Sequence, residues 1–528
     1  MKARLTNRLY IPEEEVTPRA LSKFQYKFRR YEEQRVEDDA GNLLEIKQIP
    51  YIEEHQTYRT KNGVVGFHRG DLGKLKKLFP NLEWVDGRAS PKIGKLKSSN
   101  PLWMKSGFIF KHNQEECIEA FLASEGGGLV IAPTGWGKTI FGISVALKLG
   151  LRTLVLASRT NWLQDWLKDL RKHTNIEELE SQLDMKLAGV IDNHTSPDNL
   201  FPCFNFSTFA TFWSKNGKKT RSKLFRDSFG LVIADEASML PAKETGGVFT
   251  AFNPRWRMGL SADEKRPDML HRLTYDYIGP MVAKGQRVDT IVGQVFREDS
   301  GIVISANHLF GYWLGSLQSK ICNHRSFSHL VADRAIEDVK DGYRVIMITK
   351  VKKQVQFLAE AIAGRLVSYT KKNGKKGKRH PRVATLMGGD KKFEEKKNLA
   401  REGKIDVLVT TEVVQMNTDI ERMDCLHDLM PANNDQAIKQ RAGRATRAHP
   451  DKKKIIRIRI FNFTATPPHH PATRYLQAQW MRREAWYRGN GFEILDIDDD
   501  GKIVKQQASL VPASGTSGSG KASFIGRK

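Results

Sequence analysis

A chain of 528 residues, 40% of them hydrophobic, exceeds what one core usually serves and carries enough apolar material for about two to four domains. Lysine and arginine number 86 against 60 aspartate and glutamate, a formal charge of +26; this points to a polyanionic partner and leaves DNA or RNA open, since basic side chains displace counterions from any phosphate backbone. Cys117, Cys203, Cys322 and Cys425 form no CxxC pair, no apolar run is long enough to span a bilayer, and Met1 to Pro12 lacks a signal peptide's apolar core. Zinc, disulfide and membrane classes are therefore not indicated, and a soluble cytoplasmic monomer is expected.

Residues 1–100 are polar and mixed, with Arg69, Lys74, Lys76 and Lys77 followed by Lys92, Lys95 and Lys97, and are expected to form an accessory DNA-binding domain. Beyond them, short β-branched and aliphatic runs recur: Leu129 to Ala132, Thr153 to Ala157, Leu231 to Ala234, Arg344 to Thr349, Val383 to Met387, Ile405 to Thr410 and Ile455 to Phe461. Helix-like stretches intervene, such as Asn161 to Leu170, where Trp162, Leu163, Trp166, Leu167 and Leu170 share one face. That alternation predicts an α/β protein with parallel sheets. The strands fall into two sets, 101–280 and 281–470, with the interlobe region in the less regular stretch Tyr275 to Asn323. From 471 to 528 a C-terminal extension opens with Trp480, Arg482, Arg483, Trp486 and Tyr487. These aromatics suit stacking on unpaired bases, but their helical spacing favours docking on the second strand set. Ala513 to Lys528 is rich in Gly and Ser, as a flexible tail is.

Three groups of residues carry chemistry. Pro133, Thr134, Gly135, Trp136, Gly137, Lys138 and Thr139 follow an apolar run and precede the helical pattern Ile140 to Leu149. Strand, turn of exposed N–H groups and helix N-terminus is the order a phosphate loop needs, with Lys138 charging against phosphates and the Thr139 hydroxyl suited to Mg²⁺. Ala132 stands where the general pattern has its first Gly. Asp235 and Glu236 end the run Leu231 to Ala234; Asp235 is suited to hold Mg²⁺ through water and Glu236 to orient the attacking water, although such a pair alone is equally a solvated loop edge. Gln440, Arg444 and Arg447 lie in the second set, the arginines three apart and so on one face of a helix, where they could act as arginine fingers or be a basic solvated face.

Together these groups resemble motifs I, II and VI of superfamily 2 helicases, and the other motifs are found in order. Gln114 resembles the Gln that in this class reads the adenine edge. Thr153 to Trp166, with Ser158 and Arg159, resembles motif Ia, and Asn205 to Thr208 a later strand-touching motif. Gly259 to Asp263 resembles motif III, with Asp263 departing from the usual Ser-Ala-Thr. Val345 to Lys350 resembles motif IV, and Thr410 to Ile420, including Thr411, motif V. The resemblance covers about residues 101 to 465. It implies two tandem RecA-like lobes, beside the small N-terminal domain and the C-terminal extension, that hydrolyse ATP with Mg²⁺ between them. Within the class, Asp235-Glu-Ala-Ser238, the Gln440-Arg-Ala-Gly-Arg444 box, Leu5 to Pro12 and Arg69 to Lys77 resemble the XPB-related group and phage branch-migration helicases. That implies duplex or branched DNA as the sequence-nonspecific partner, in the host cytoplasm if phage-encoded. An RNA helicase and an ATP-switched nucleic-acid clamp remain the alternatives. Lys218 and Lys219, and Lys375 and Lys376, flank Asn-Gly pairs and suit hairpin tips that meet phosphates, or solvated loops.

Overall fold

The computed structural model describes residues 2–507 except 38–42, 57, 94–101, 125, 134, 214–220, 265–269, 287–292, 307–312, 371–375, 412–419, 421, 431–434, 447–448 and 499; for 26–56, 59, 60, 313, 314, 369, 370, 376, 435–437, 440, 444 and 505–507 it describes the backbone alone. The chain divides into two compact units, Met1–Val288 and Asp289–Lys528.

The first unit begins with a five-stranded sheet in the order Tyr58–Lys61, Val64–Phe67, Leu9–Pro12, Lys2–Leu5 and Glu83–Asp86. Alternation along its strands puts Ala3, Leu5, Leu9, Ile11, Val65 and Phe67 on one face, with Leu75 of the helix Leu72–Leu78 in the same core. Gln25–Glu37 and Leu43–Gln56 form a separate antiparallel ribbon. Arg69, grouped by sequence with a basic DNA-facing segment, turns inward instead. It is buried, and its guanidinium donates to the carbonyls of Pro254 and Arg255. Ala89 and Arg255 add backbone bonds across the same seam, and a Cβ on Gly70 would lie 1.8 Å from the Tyr275 carbonyl oxygen. Such close backbone approach requires glycine.

Seven parallel strands follow in the spatial order Ala188–Val190, Phe204–Thr208, Thr153–Ala157, Leu231–Asp235, Trp256–Ser261, Gly127–Ile131 and Met281–Lys284. The middle strands are buried throughout, which explains their continuous apolar runs. The helix Thr160–His173 covers the sheet with Trp162, Leu163, Trp166 and Leu170 buried, four of the five residues assigned to that face; Leu167 is half-buried. Because Met281–Lys284 pairs with Gly127–Ile131, this unit extends past the expected boundary at 280.

The second unit is built on an eight-stranded sheet in the order Val383–Leu386, Val407–Thr411, Val345–Thr349, Cys425–Asp428, Ile456–Thr466, Gly293–Ser305, Glu493–Ile497 and Ile503–Gln507, parallel except for the last pair. The stretch Tyr275 to Asn323 is thus not an irregular connector: it holds Met281–Lys284, the long strand Gly293–Ser305 and the helix Trp313–Asn323. Its strand escaped a hydrophobicity reading because Arg297, Glu298 and Asp299 lie within it. Glu298 is buried against Arg334 at 2.6 Å, and Arg297 pairs with Glu484 and Asp496. The C-terminal segment is likewise part of this unit. Helix Pro471–Gly489 buries Arg483 and Tyr487 and lays Trp480 and Trp486 on the sheet's core, so its aromatics form a docking face, as their spacing favours. Val367–Thr370 and Lys376–Arg379 make the hairpin expected near Lys375; its tip, like the tail Ala513 to Lys528, lies outside the described residues. No helix among the described residues is long and apolar enough to cross a membrane.

Candidate functional site

Parallel register brings the ends of three strands in the first unit level: Asp235 pairs with Leu260, and Ser261 with Ile131. The loops leaving these carboxyl ends converge, where open α/β sheets bind their ligands. Ala132 donates its N–H to the Ser261 carbonyl at 2.9 Å. Gly135 and Gly137 then adopt φ of +88° and +96°, a region that a Cβ disfavours. Gly137 caps the helix Lys138–Leu149, so the unpaired N–H groups of its first turn, and the positive end of its dipole, point out of the turn. Pro133, Lys138 and Thr139 are partly buried there and Trp136 fully so; Thr134 lies outside the described residues.

Glu236 follows the buried strand Leu231–Asp235 with φ +55°, an uncommon conformation for a residue with a side chain. Its Oε1 lies 3.6 Å from Lys138 Nζ. Asp235 Oδ2 accepts the Trp166 indole N–H at 2.9 Å, and Oδ1 accepts the Glu236 N–H at 3.1 Å. Burial, with the Glu236 charge added, pushes the Asp235 carboxyl up to about 6. A divalent cation would favour its ionised form. The buried carboxylate, the Thr139 hydroxyl and the adjacent Lys138 therefore fit a magnesium nucleotide. Ser261 Oγ donates to the Asp263 carbonyl at 2.9 Å and accepts its N–H at 3.3 Å, closing the turn in which Asp263 departs from the motif III pattern.

Trp166 had been assigned only to an apolar face. The available signal was chemical: a buried indole N–H seeks an acceptor. Gln114, assigned to the base, instead donates to the phosphate-loop carbonyls of Trp136 and Gly137 at 2.7 and 3.3 Å.

The expected nucleic-acid contacts sit on the same edges of their sheets. Thr208 pairs with Ala157, which sets it beside Ser158 and Arg159. Thr208 Oγ1 accepts the Thr211 N–H and caps the short helix Phe209–Phe212; Arg159 is exposed, and Ser158 Oγ lies 2.8 Å from Met239 Sδ. In the second unit Thr349 pairs with Thr411, placing Lys350, which is exposed, next to it. Thr411 is buried together with its hydroxyl, contrary to the expectation of a strand contact, because it still belongs to the fully buried strand Val407–Thr411. Lys376 starts the hairpin's second strand; Lys218, Lys219 and Lys375 lie outside the described residues.

Gln440 and Arg444 stand on the helix Asp435–Thr446. That helix stops before Arg447, which lies outside the described residues, so the shared helical face expected for the two arginines is not present as such. Arg441, passed over between them, is buried and donates to Asp428 Oδ1 at 2.7 Å and the Met430 carbonyl at 2.8 Å; it anchors the helix that carries Gln440 and Arg444. Asp338, Cys425 and His427 converge within 4.8 Å and are fully buried, but Asp338 accepts from His427 Nε2 at 2.6 Å and from Arg459 Nε and Nη2 at 2.8 Å each, with Arg457 alongside. Although burial opposes it, Arg459 and His427 hold the Asp338 carboxyl far below the usual carboxylate range. Two guanidinium charges occupy the place a metal would need, so the cluster is a structural ion network.

Two family models match the chain: the type III restriction enzyme res subunit over residues 108–266, and the helicase conserved C-terminal domain over residues 328–449. A helicase named D10 from Escherichia phage T5 is 23% identical over 388 residues, 74% of this chain and 77% of the phage protein. The DNA 3'-5' helicase XPB of Mycobacterium tuberculosis is 25% identical over 252 residues, 46% of this chain and 42% of that protein, so the chain spans less than half of that relative's length. The crystal structure of T4 UvsW aligns over 94% of this chain and 99% of its own, at 13% identity and a TM-score of 0.35.

Proposed function

As a superfamily 2 helicase with XPB-like and phage relatives, this chain, we propose, hydrolyses ATP with Mg²⁺ to drive the remodelling of duplex or branched DNA. The observation that carries the reading is the constellation in the first unit: a phosphate loop with left-handed Gly135 and Gly137, and Lys138 3.6 Å from Glu236 beside the buried Asp235.

Each residue has a role that its geometry suits. The loop N–H groups and Lys138 bind and charge-neutralise the β and γ phosphates. Thr139 and Asp235 would hold Mg²⁺, which supplies Lewis-acid polarisation of the γ-phosphoryl group when bound. Glu236, freed from Lys138 once phosphates compete for the ammonium, orients the attacking water and receives its proton. Gln440, Arg444 and Arg447 supply charge to the transferring phosphoryl group from the second lobe. Ser158, Arg159, Thr208 and Lys350 contact the backbone of a strand, with Lys218, Lys219, Lys375 and Lys376 adding sequence-independent charge. Arg69, directed into the first unit, takes no part.

The test is hydrolysis measured alone and with single-stranded DNA, duplex DNA, a four-way DNA junction and RNA. Stimulation by the junction, with strand products only in the presence of ATP, is expected. Stimulation by RNA alone would move the chain to RNA remodelling, and hydrolysis without strand products would make it an ATP-switched clamp.

A further inference from the structure

Gln114 opens the helix Gln114–Leu122 and is 3% exposed. Its Nε2 donates to the carbonyls of Trp136 and Gly137, and its Oε1 accepts the Lys111 N–H at 2.9 Å. The partners fix which end of the amide is nitrogen: two acceptors face one end and a donor the other. A Cβ added to Gly137 would lie 2.5 Å from that Nε2, so the amide is packed directly against the loop. Reading an adenine edge requires a carboxamide to offer one oxygen and one N–H together. Both N–H groups of Gln114 are directed at the loop.

Its neighbour completes the arrangement. Asn113 Oδ1 accepts the Trp136 indole N–H at 3.1 Å and the Gln286 N–H at 2.8 Å, while Nδ2 donates to the Lys284 carbonyl at 3.0 Å. Trp136 is 1% exposed, and a Cβ on Gly285 would come within 2.8 Å of its ring. Two adjacent amides thus grip the loop, one by its backbone and one by its indole. The left-handed turns at Gly135 and Gly137 are held in place by the protein alone, and a preformed loop loses little freedom when it binds. That shape serves the triphosphate, which every nucleotide shares.

We infer that Gln114 is a positioning residue for the phosphate loop and does not read the base, so that the site accepts nucleoside triphosphates as a class, with weak discrimination among adenine, guanine, cytosine and uracil. This rests on the nucleotide-hydrolysis reading above. The experiment measures steady-state hydrolysis of ATP, GTP, CTP and UTP, together with equilibrium binding of the imido analogues of ATP and GTP. It uses the full chain and its Gln114→Ala, Gln114→Glu and Asn113→Ala variants, each checked for an unchanged melting temperature. In the wild type, kcat/KM should agree within about threefold across the four nucleotides, less than one base-reading hydrogen bond supplies. Each variant should lower all four values by about tenfold, the worth of a lost loop bond, and leave their ratios unchanged. Gln114→Glu, which keeps the shape and removes both donors, should be no better than Gln114→Ala. A tenfold wild-type preference for ATP that Gln114→Ala erases would overturn the inference, as would variants with unaltered kinetics. Base-blind binding without any turnover would overturn the hydrolysis reading and support the loop assignment.

Discussion

Asp235 is where burial and charge act most directly on chemistry. An ordinary aspartate titrates near ~3.9, whereas burial and Glu236 push this carboxyl up to about 6. Because the folded chain holds the proton more tightly than the unfolded one, stability contributed by this group is present at acid pH and lost as pH rises from about 4 through about 6. Without nucleotide, Asp235→Asn should therefore be more stable than wild type at pH 7.5, by about 1–2 kcal/mol after allowing for a weakened bond from the Glu236 N–H. The gain should disappear at pH 4, and a variant that melts lower than wild type at pH 7.5 would refute this. Lys138→Ala should reduce turnover by at least about a thousandfold while leaving DNA binding nearly intact, as gel-shift titration would report; substantial residual hydrolysis would displace Lys138 from its role. Lys138 and Asp235 were legible in the sequence because a phosphate loop and an acidic strand end need particular residue types in a particular order. Trp166 as a hydrogen-bond donor and Gln114 as a loop partner were not legible, since both depend on contacts with residues distant in sequence.

At the scale of elements, the helix Thr160–His173 both covers the sheet and reaches its site. A Cβ on Gly142 would lie 2.6 Å from the Trp166 ring, so this helix and the one following the phosphate loop are packed without room for a methyl group, and Asp235 takes its position from both. Trp166→Phe keeps most of the packing and removes the N–H. Since that bond favours the ionised carboxylate, its loss should move the acid limb of the kcat/KM profile for hydrolysis upward by about half a pH unit or more; an unshifted limb would show that the indole only fills space. In the second unit, Arg441→Ala would leave Asp428 buried, with Arg483 3.9 Å away. Loss of about 3 kcal/mol is expected, read as a lower denaturant midpoint with unchanged slope. Strands with continuous apolar runs, such as Thr153–Ala157, were found at their true limits. Gly293–Ser305 was missed because its charges are neutralised by Arg334, Asp496 and Glu484, partners that only the folded chain supplies.

For the whole molecule, an excess of 26 positive charges sets how binding should respond to salt. If duplex DNA is gripped through phosphates by about six to ten side chains, affinity should fall about 10³- to 10⁵-fold between 50 and 200 mM salt. Filter binding across that range would check it, and a nearly flat response would remove the exposed lysines from the interface. Substitution of Arg69 should leave the slope alone and lower the melting temperature, because its guanidinium is directed into the first unit and contacts no solvent-facing partner there.

The sequence by itself determined the α/β class, the order of the helicase motifs and the residues of the nucleotide site, because glycine in left-handed turns, lysine against phosphate and paired carboxylates at a strand end are requirements of local geometry and charge. Tertiary structure alone decided that Met281–Lys284 closes the first sheet, that the aromatic C-terminal helix docks on the second, that Arg69 and Arg441 are internal, and that Gln114 supports the loop. Those outcomes depend on which carbonyls, carboxylates and indoles meet across long stretches of chain, and no periodicity in the sequence records such meetings.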